Sequence, residues 1–266
     1  MADDLDDAWW DTQENQRDQE SVSSDGQDEE VDKKSSSQIK RKAIDLVEDG
    51  ASQKKKKKKR KRITDELKKG SLKRGSADEL VQNIEKHFEG KLSAVEKDEL
   101  KLDLGHDFFP SSESDHTPTS YFRSILPKWS KLLQTEVKPG HPVVLVISSS
   151  AIRAVELNRE LKDFKTKKCK CAKLFAKHFK LEDQQKYLGN TICHLGIGTP
   201  NRILALIKLN ALHLDCLKAV VIDYNWRDIK AKRIIDIPDV KKDLLNLMKE
   251  YLLPHIHKTK CKMGIL

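Results

Sequence analysis

The sequence has 266 residues, 37% hydrophobic and 35% charged, with a formal net charge of +9. That balance leaves too little apolar surface for the whole chain to pack, so the core must be concentrated in one part. No run approaches the ~18 apolar residues of a membrane span, no basic segment leads into an apolar one at the start, and five cysteines argue against a disulfide framework.

Residues 1 to 75 read as a disordered tail whose charge changes sign. Between Met1 and Asp32 stand thirteen acidic residues against Arg17 alone, with Ser21, Ser23, Ser24 and Gly26 interspersed. Trp9 and Trp10 interrupt the acidity and form a candidate docking peptide whose rings would bury on a partner. Ser23 and Ser24, next to acidic residues, are candidate phosphorylation sites. The run Lys54, Lys55, Lys56, Lys57, Lys58, Lys59, Arg60, Lys61, Arg62 repels itself and attracts an import receptor or nucleic-acid phosphate. Such a run neutralises phosphates without reading sequence, so it cannot choose an RNA site by itself.

Residues 76 to 118 read as a helical appendage and linker. Ser76-Ala-Asp-Glu79 and Ser93-Ala-Val-Glu96 have capping-box spacing. Leu80, Ile84 and Phe88 follow the first at helical intervals, and Leu100 and Leu104 follow the second.

Residues 119 to 266 alternate helices with short apolar strands. Tyr121, Phe122, Ile125, Trp129 and Leu132 predict an amphipathic helix kinked at Pro127. Val143 to Ile147 is a β-branched run leading through Ser148, Ser149 and Ser150 into a helix from Ala151 to Phe164. Strands are expected at Ala172 to Phe175, Thr191 to Leu195, Leu217 to Ile222 and Met263 to Leu266. Gly196 to Arg202 is expected to be a turn entering a helix from Ile203 to Lys208, and a last helix runs from Asp239 to Tyr251. This alternation predicts an α/β fold: a parallel sheet with flanking helices and sites at the carboxyl ends of its strands.

The chemistry of nucleotide hydrolysis is missing from that frame. A phosphate cradle needs a Gly-rich turn followed by lysine and a hydroxyl residue. Gly70 and Gly75 have the spacing, but Ser76 and Ala77 stand where those residues belong. Asp223, at the end of an expected strand, fills the place of a magnesium-binding carboxylate, yet Tyr224, Asn225 and Trp226 follow it instead of a second acid. Cys169 and Cys171 are too closely spaced for a structural zinc pair, and the nine histidines show no ligand spacing. No catalysis, cofactor, nucleotide or metal is expected.

The segment order from Pro142 to Asp228 resembles the first RecA-like domain of DEAD-box RNA helicases. Ser148 to Ala154 occupies the place of Pro-Thr-Arg-Glu-Leu-Ala, Gly198-Thr-Pro-Asn-Arg202 that of Gly-Thr-Pro-Gly-Arg, and Val220-Val-Ile-Asp-Tyr-Asn-Trp226 that of the strand ending in Asp-Glu-Ala-Asp. The resemblance implies a partial, degenerate RecA-like sheet with Asp223 at the altered metal position. It also implies phosphate-backbone contacts from Thr199, Arg202 and Ser149, with Arg153 nearby. The chain ends before a second such domain would fit, so a helicase cleft is not expected within it.

A closer resemblance runs through nearly the whole chain. The acidic start with Trp-Trp, the basic block followed by Ile63-Thr64-Asp65, Leu174-Phe-Ala-Lys-His178, His194-Leu-Gly-Ile-Gly-Thr-Pro200 and Asp223-Tyr-Asn-Trp-Arg-Asp228 are similar to the vertebrate Cms-type ribosomal small subunit protein homologues. This family resemblance implies a nucleolar, non-catalytic, helicase-like protein that meets RNA, preribosomal particles and ribosome-assembly proteins. A protein-interaction scaffold, with the basic block serving import alone, is the alternative.

Overall fold

Local signals account for most elements of the computed structural model, which describes residues 74–110, 116–166 and 169–266. Trp9, Trp10, Ser23, Ser24 and the Lys54 to Arg62 block lie outside the described residues. Helix α1 (Ala77–Phe88) starts where the Glu79 amide donates to Ser76 Oγ at 3.3 Å, and Leu80, Ile84 and Phe88 are its buried stripe. Helix α2 (Ala94–Glu99) opens on a complete capping box: the Glu96 amide donates to Ser93 Oγ at 3.3 Å and the Ser93 amide to Glu96 Oε2 at 2.9 Å. Helices α3 (Pro118–Ile125) and α4 (Trp129–Leu132) fall on either side of Pro127, which breaks the amphipathic stretch in two.

Strand β1 (Val144–Ile147) leads into helix α5 (Ala151–Glu160), which tightens into a 3-10 turn at Leu161–Phe164. Strand β2 (Cys171–Leu174), helix α6 (Leu181–Asn190), strand β3 (Leu195–Gly198) and helix α7 (Pro200–Lys208) follow. Then come strand β4 (Ala219–Ile222), helix α8 (Pro238–Leu247), a π-helical turn at Met248–Leu252, helix α9 (Leu253–Lys258) and strand β5 (Lys262–Ile265).

The five strands form one sheet in the order β2-β3-β1-β4-β5, and every neighbouring pair is parallel. All four residues of β1, β3 and β4 are buried, so both faces of the central strands are covered; β2 and β5, at the edges, are only partly buried. The expected class, a parallel sheet with flanking helices, is the one observed. Leu80, Ile84 and Phe88 of α1 belong to the same apolar core as Val220, Ile222, Leu252 and Met263.

Three local expectations change. The strand placed at Thr191 to Leu195 lies instead at Leu195–Gly198, and the helix begins at Pro200 rather than Ile203. Gly196 and Gly198 are strand residues because β2 lies against them: a Cβ on Gly198 would collide with the Leu174 carbonyl, and one on Gly196 would lie 3.0 Å from Leu174 Cδ1. Pro200 is suited to a first helical position, where no amide is needed. Helix α6 has no counterpart in the sequence reading, since its buried face is built from Gln184 and Leu188 rather than a long apolar stripe. The last helical segment continues past Tyr251 to Lys258, the wider π turn accommodating the missing amide of Pro254. Among the described residues no helix is long and apolar enough to cross a membrane.

Candidate nucleic-acid interface at the carboxyl edge of the sheet

The parallel register fixes which loops meet. Ile147 pairs with Gly198, so the chain leaves β1 and β3 side by side, with Ser148 and Ser149 beside Thr199. The Ser148 amide donates to the Gly198 carbonyl at 2.8 Å, and the Ser148 hydroxyl reaches Gly198 O at 3.3 Å and Ser150 O at 3.1 Å. The Thr199 amide donates to Leu174 O at 3.0 Å, tying the end of β2 to the same edge.

Two helices therefore start next to one another. Ser150 caps α5, its Oγ accepting from the Arg153 amide at 3.2 Å. Thr199 occupies the N-cap of α7 without a side-chain capping bond. Ser149 is 7% exposed, and its buried hydroxyl has no hydrogen-bond partner among the described residues. Amides of a first helical turn lack intrahelical acceptors and carry the positive end of the helix dipole, a combination that accepts anions.

The two candidate arginines are engaged within the protein. Arg202 donates to Gln184 Oε1 at 3.0 Å and to the Phe179 carbonyl at 3.2 Å. Burial lowers its pKa, with Glu182 acting against the shift. Gln184 also donates to Lys173 O at 2.8 Å and Phe175 O at 3.0 Å, so Arg202 is braced against the segment following β2. Nothing in the spacing of Gln184 announced this role.

Arg153 lies on the other side of β1. Its Nε donates to Asp223 Oδ2 at 2.8 Å and its Nη2 to Oδ1 at 3.3 Å, while Nη1 reaches Glu160 at 2.9 Å and Glu156 at 3.4 Å. The guanidinium also sits 5.4 Å from the Trp226 ring centroid. Arg153 is 7% and Asp223 1% exposed. Burial of the guanidinium acts to lower its pKa, but Asp223 and Glu160 outweigh this and raise it. Burial pushes the Asp223 carboxyl up, and Arg153 draws it down. Both oxygens of Asp223 thus face a guanidinium, in the place where the helicase resemblance puts a metal-binding carboxylate. Strand order makes this pairing possible, because β1 and β4 are neighbours although the residues lie 70 positions apart.

Comparison with solved structures gives partial matches of low identity. An S. cerevisiae Dbp5 variant bound to RNA and ADP BeF3 matches with 16% identity and a TM-score of 0.38, covering 72% of this chain and 44% of that one. A DEAD box protein from Methanococcus jannaschii matches with 17% identity and a TM-score of 0.34, covering 57% of this chain and 37% of that one. The chain thus spans less than half the length of either. Curated relatives match more fully. Protein CMSS1 of Xenopus laevis is 35% identical over all of both chains, and protein CMSS1 of Homo sapiens is 37% identical over 77% of this chain and 73% of its own. Protein CMS1 of Chaetomium thermophilum is 34% identical over 65% of this chain and 70% of its own. Residues 12–264 match the family model described as CMS1, U3-containing 90S pre-ribosomal complex subunit, and the chain belongs to that family.

Proposed function

We propose that this protein is a non-catalytic RNA-binding adaptor of small ribosomal subunit biogenesis, working in the nucleolus as part of a pre-ribosomal particle. The observation that carries this reading is the junction of β1 and β3, where two helix starts adjoin and the buried Ser149 hydroxyl lacks a partner. A phosphodiester backbone supplies the acceptors such a surface favours. In this reading Thr199, Ser149 and the first turns of α5 and α7 contact phosphate. Arg202 swings from Gln184 to join them, and Arg153 holds the edge together through Asp223. The Lys54 to Arg62 block binds an import receptor and concentrates the protein on pre-rRNA. Trp9 and Trp10 dock on an assembly protein, and phosphorylation of Ser23 or Ser24 tunes that docking.

Ultraviolet crosslinking in cells with peptide mapping tests this. Crosslinks are expected at Ser148 to Arg153 and Thr199 to Arg202, and lost there in Arg202→Ala, whose fold is checked by circular dichroism. Crosslinks confined to Lys54 to Arg62 would overturn the adaptor site. They would favour a protein-interaction scaffold whose basic block serves import alone. The engagement of Arg202 by Gln184 and Phe179 is the observation on that side.

A further inference from the structure

At the opposite, amino edge of the sheet, the loops entering β1 and β4 run side by side, because Val144 pairs with Ala219. The His213 amide donates to the Gly140 carbonyl at 2.8 Å. Gly140 has φ +76°, and a Cβ there would lie 2.7 Å from the Ala211 carbonyl, so glycine is what permits the close approach. The approach brings His141 onto His213, their rings stacked with centroids 4.3 Å apart and planes within 13°. Asp215 completes the group: its Oδ2 lies 3.5 Å from His141 Nε2.

We propose that His141, His213 and Asp215 form a binding site for a zinc-class divalent metal ion that staples the two loops together. His141 Nδ1 lies 2.8 Å from the Pro139 carbonyl. A carbonyl can only accept, so Nδ1 carries a proton, and the ligand form of the ring is the one with its lone pair on Nε2. Metal-binding histidines show this arrangement, with the second nitrogen anchored to a backbone carbonyl. The Nε2 lone pair then faces a carboxylate oxygen, two acceptors that require something positive between them. A divalent ion bridging Nε2 and the carboxylate supplies it.

The dimensions agree. Bonds of ~2.1 Å in a tetrahedral zinc site put ligand atoms about 3.4 Å apart, and the His141–Asp215 distance is 3.5 Å. One ligand atom from each of the three residues lies within 4.8 Å of the other two, and binding turns the His213 ring out of the stack so that its in-plane lone pair points to the same ion. Two imidazoles and one carboxylate suit zinc. Asp215, with its side chain 82% exposed, leaves the fourth position to solvent. The site is independent of the RNA reading, lying at the other end of the strands.

The test is titration of the full chain with cobalt(II), followed by displacement with zinc. One ion per chain should give the visible absorption of a tetrahedral nitrogen/oxygen site without the near-ultraviolet thiolate band that cysteine would add. His141→Gln and His213→Gln should each weaken binding by ~100-fold or more, the upper range for disturbing even the outer shell of a metal site. Asp215→Asn should also weaken it, in a protein whose fold such an exposed change leaves intact. Absence of that visible spectrum, a thiolate band, or unchanged affinity in Asp215→Asn together with His141→Gln would overturn the proposal.

Discussion

Asp223 shows how a single contact redirects a position. A carboxylate at the end of a central parallel strand, 1% exposed, is unfavourable unless something neutralises it, and Arg153 does so through two hydrogen bonds. Breaking a buried pair on one side leaves an uncompensated charge, which typically costs about 3–5 kcal/mol. Arg153→Met should therefore destabilise the fold by about that amount in chemical denaturation. The double variant with Asp223→Leu should recover most of the loss, because burying two apolar groups in place of an ion pair is often neutral. The sign of the pH dependence is also set. With Arg153 gone, burial raises the Asp223 carboxyl further, so the single variant's deficit relative to the unsubstituted protein should be largest at neutral pH and shrink as acidification protonates Asp223. Equal instability of the single and double variants would mean that Arg153 matters for packing alone.

Among the elements, α1 and α2 separate two sources of helix stability. Helix α2 is six residues long and buries none, and the Ser93–Glu96 box defines its start. In α1 only half of that device forms: Ser76 accepts from Glu79, but the Glu79 carboxylate turns away to Arg233, 154 residues distant, at 2.7 and 3.0 Å. Tyr224 stacks beneath the same guanidinium, its ring centroid 5.2 Å away. The rest of α1 is secured by burial of Leu80 and Ile84, at 0% and 2% exposure. Ile84→Ala should cost about 2–5 kcal/mol of global stability, whereas Ser93→Ala should cost about 1 kcal/mol or less and act locally. Hydrogen exchange distinguishes them: the first should lower protection across the sheet, the second only within α2. A local response to Ile84→Ala would mean that α1 opens independently of the sheet.

Across the whole molecule, protonation opposes the fold. Burial lowers the pKa of His194 and His255, and burial with Lys91 and Lys241 lowers that of His87, all from 6.5. A histidine depressed in the folded state is protonated first in the unfolded chain. The stability it contributes is present above pH 6.5 and is lost as pH falls toward the folded value. Asp107 and Asp236 are lowered from 3.8, by His106 and the Asp103 amide and by Arg233 respectively, against burial. They add a second loss at more acidic pH. The denaturation midpoint should thus decline in two stages on acidification. His194→Gln should flatten the first; an unchanged profile would show that the His194 site admits the proton at no cost.

The alternation of apolar tetrapeptides with amphipathic stretches determined the α/β class, because strands buried on both faces must be continuously apolar whatever surrounds them. The N-cap at Ser76, the full capping box at Ser93, the interruption at Pro127 and the Thr-Pro-x-Arg segment were equally local and equally legible. What the sequence left open depends on pairing between distant positions. Strand order put Arg153 against Asp223, and β2 lying on Gly198 made that residue strand instead of turn. Gln184 became the brace of Arg202 only because α6 packs across the end of β2. Likewise, the loops entering β1 and β4 brought together two histidines 72 positions apart, a separation in which no ligand spacing is visible. Local chemistry selects elements; which side chains meet is decided by their register and order in the sheet, where each contact is shared between segments that carry no local trace of one another.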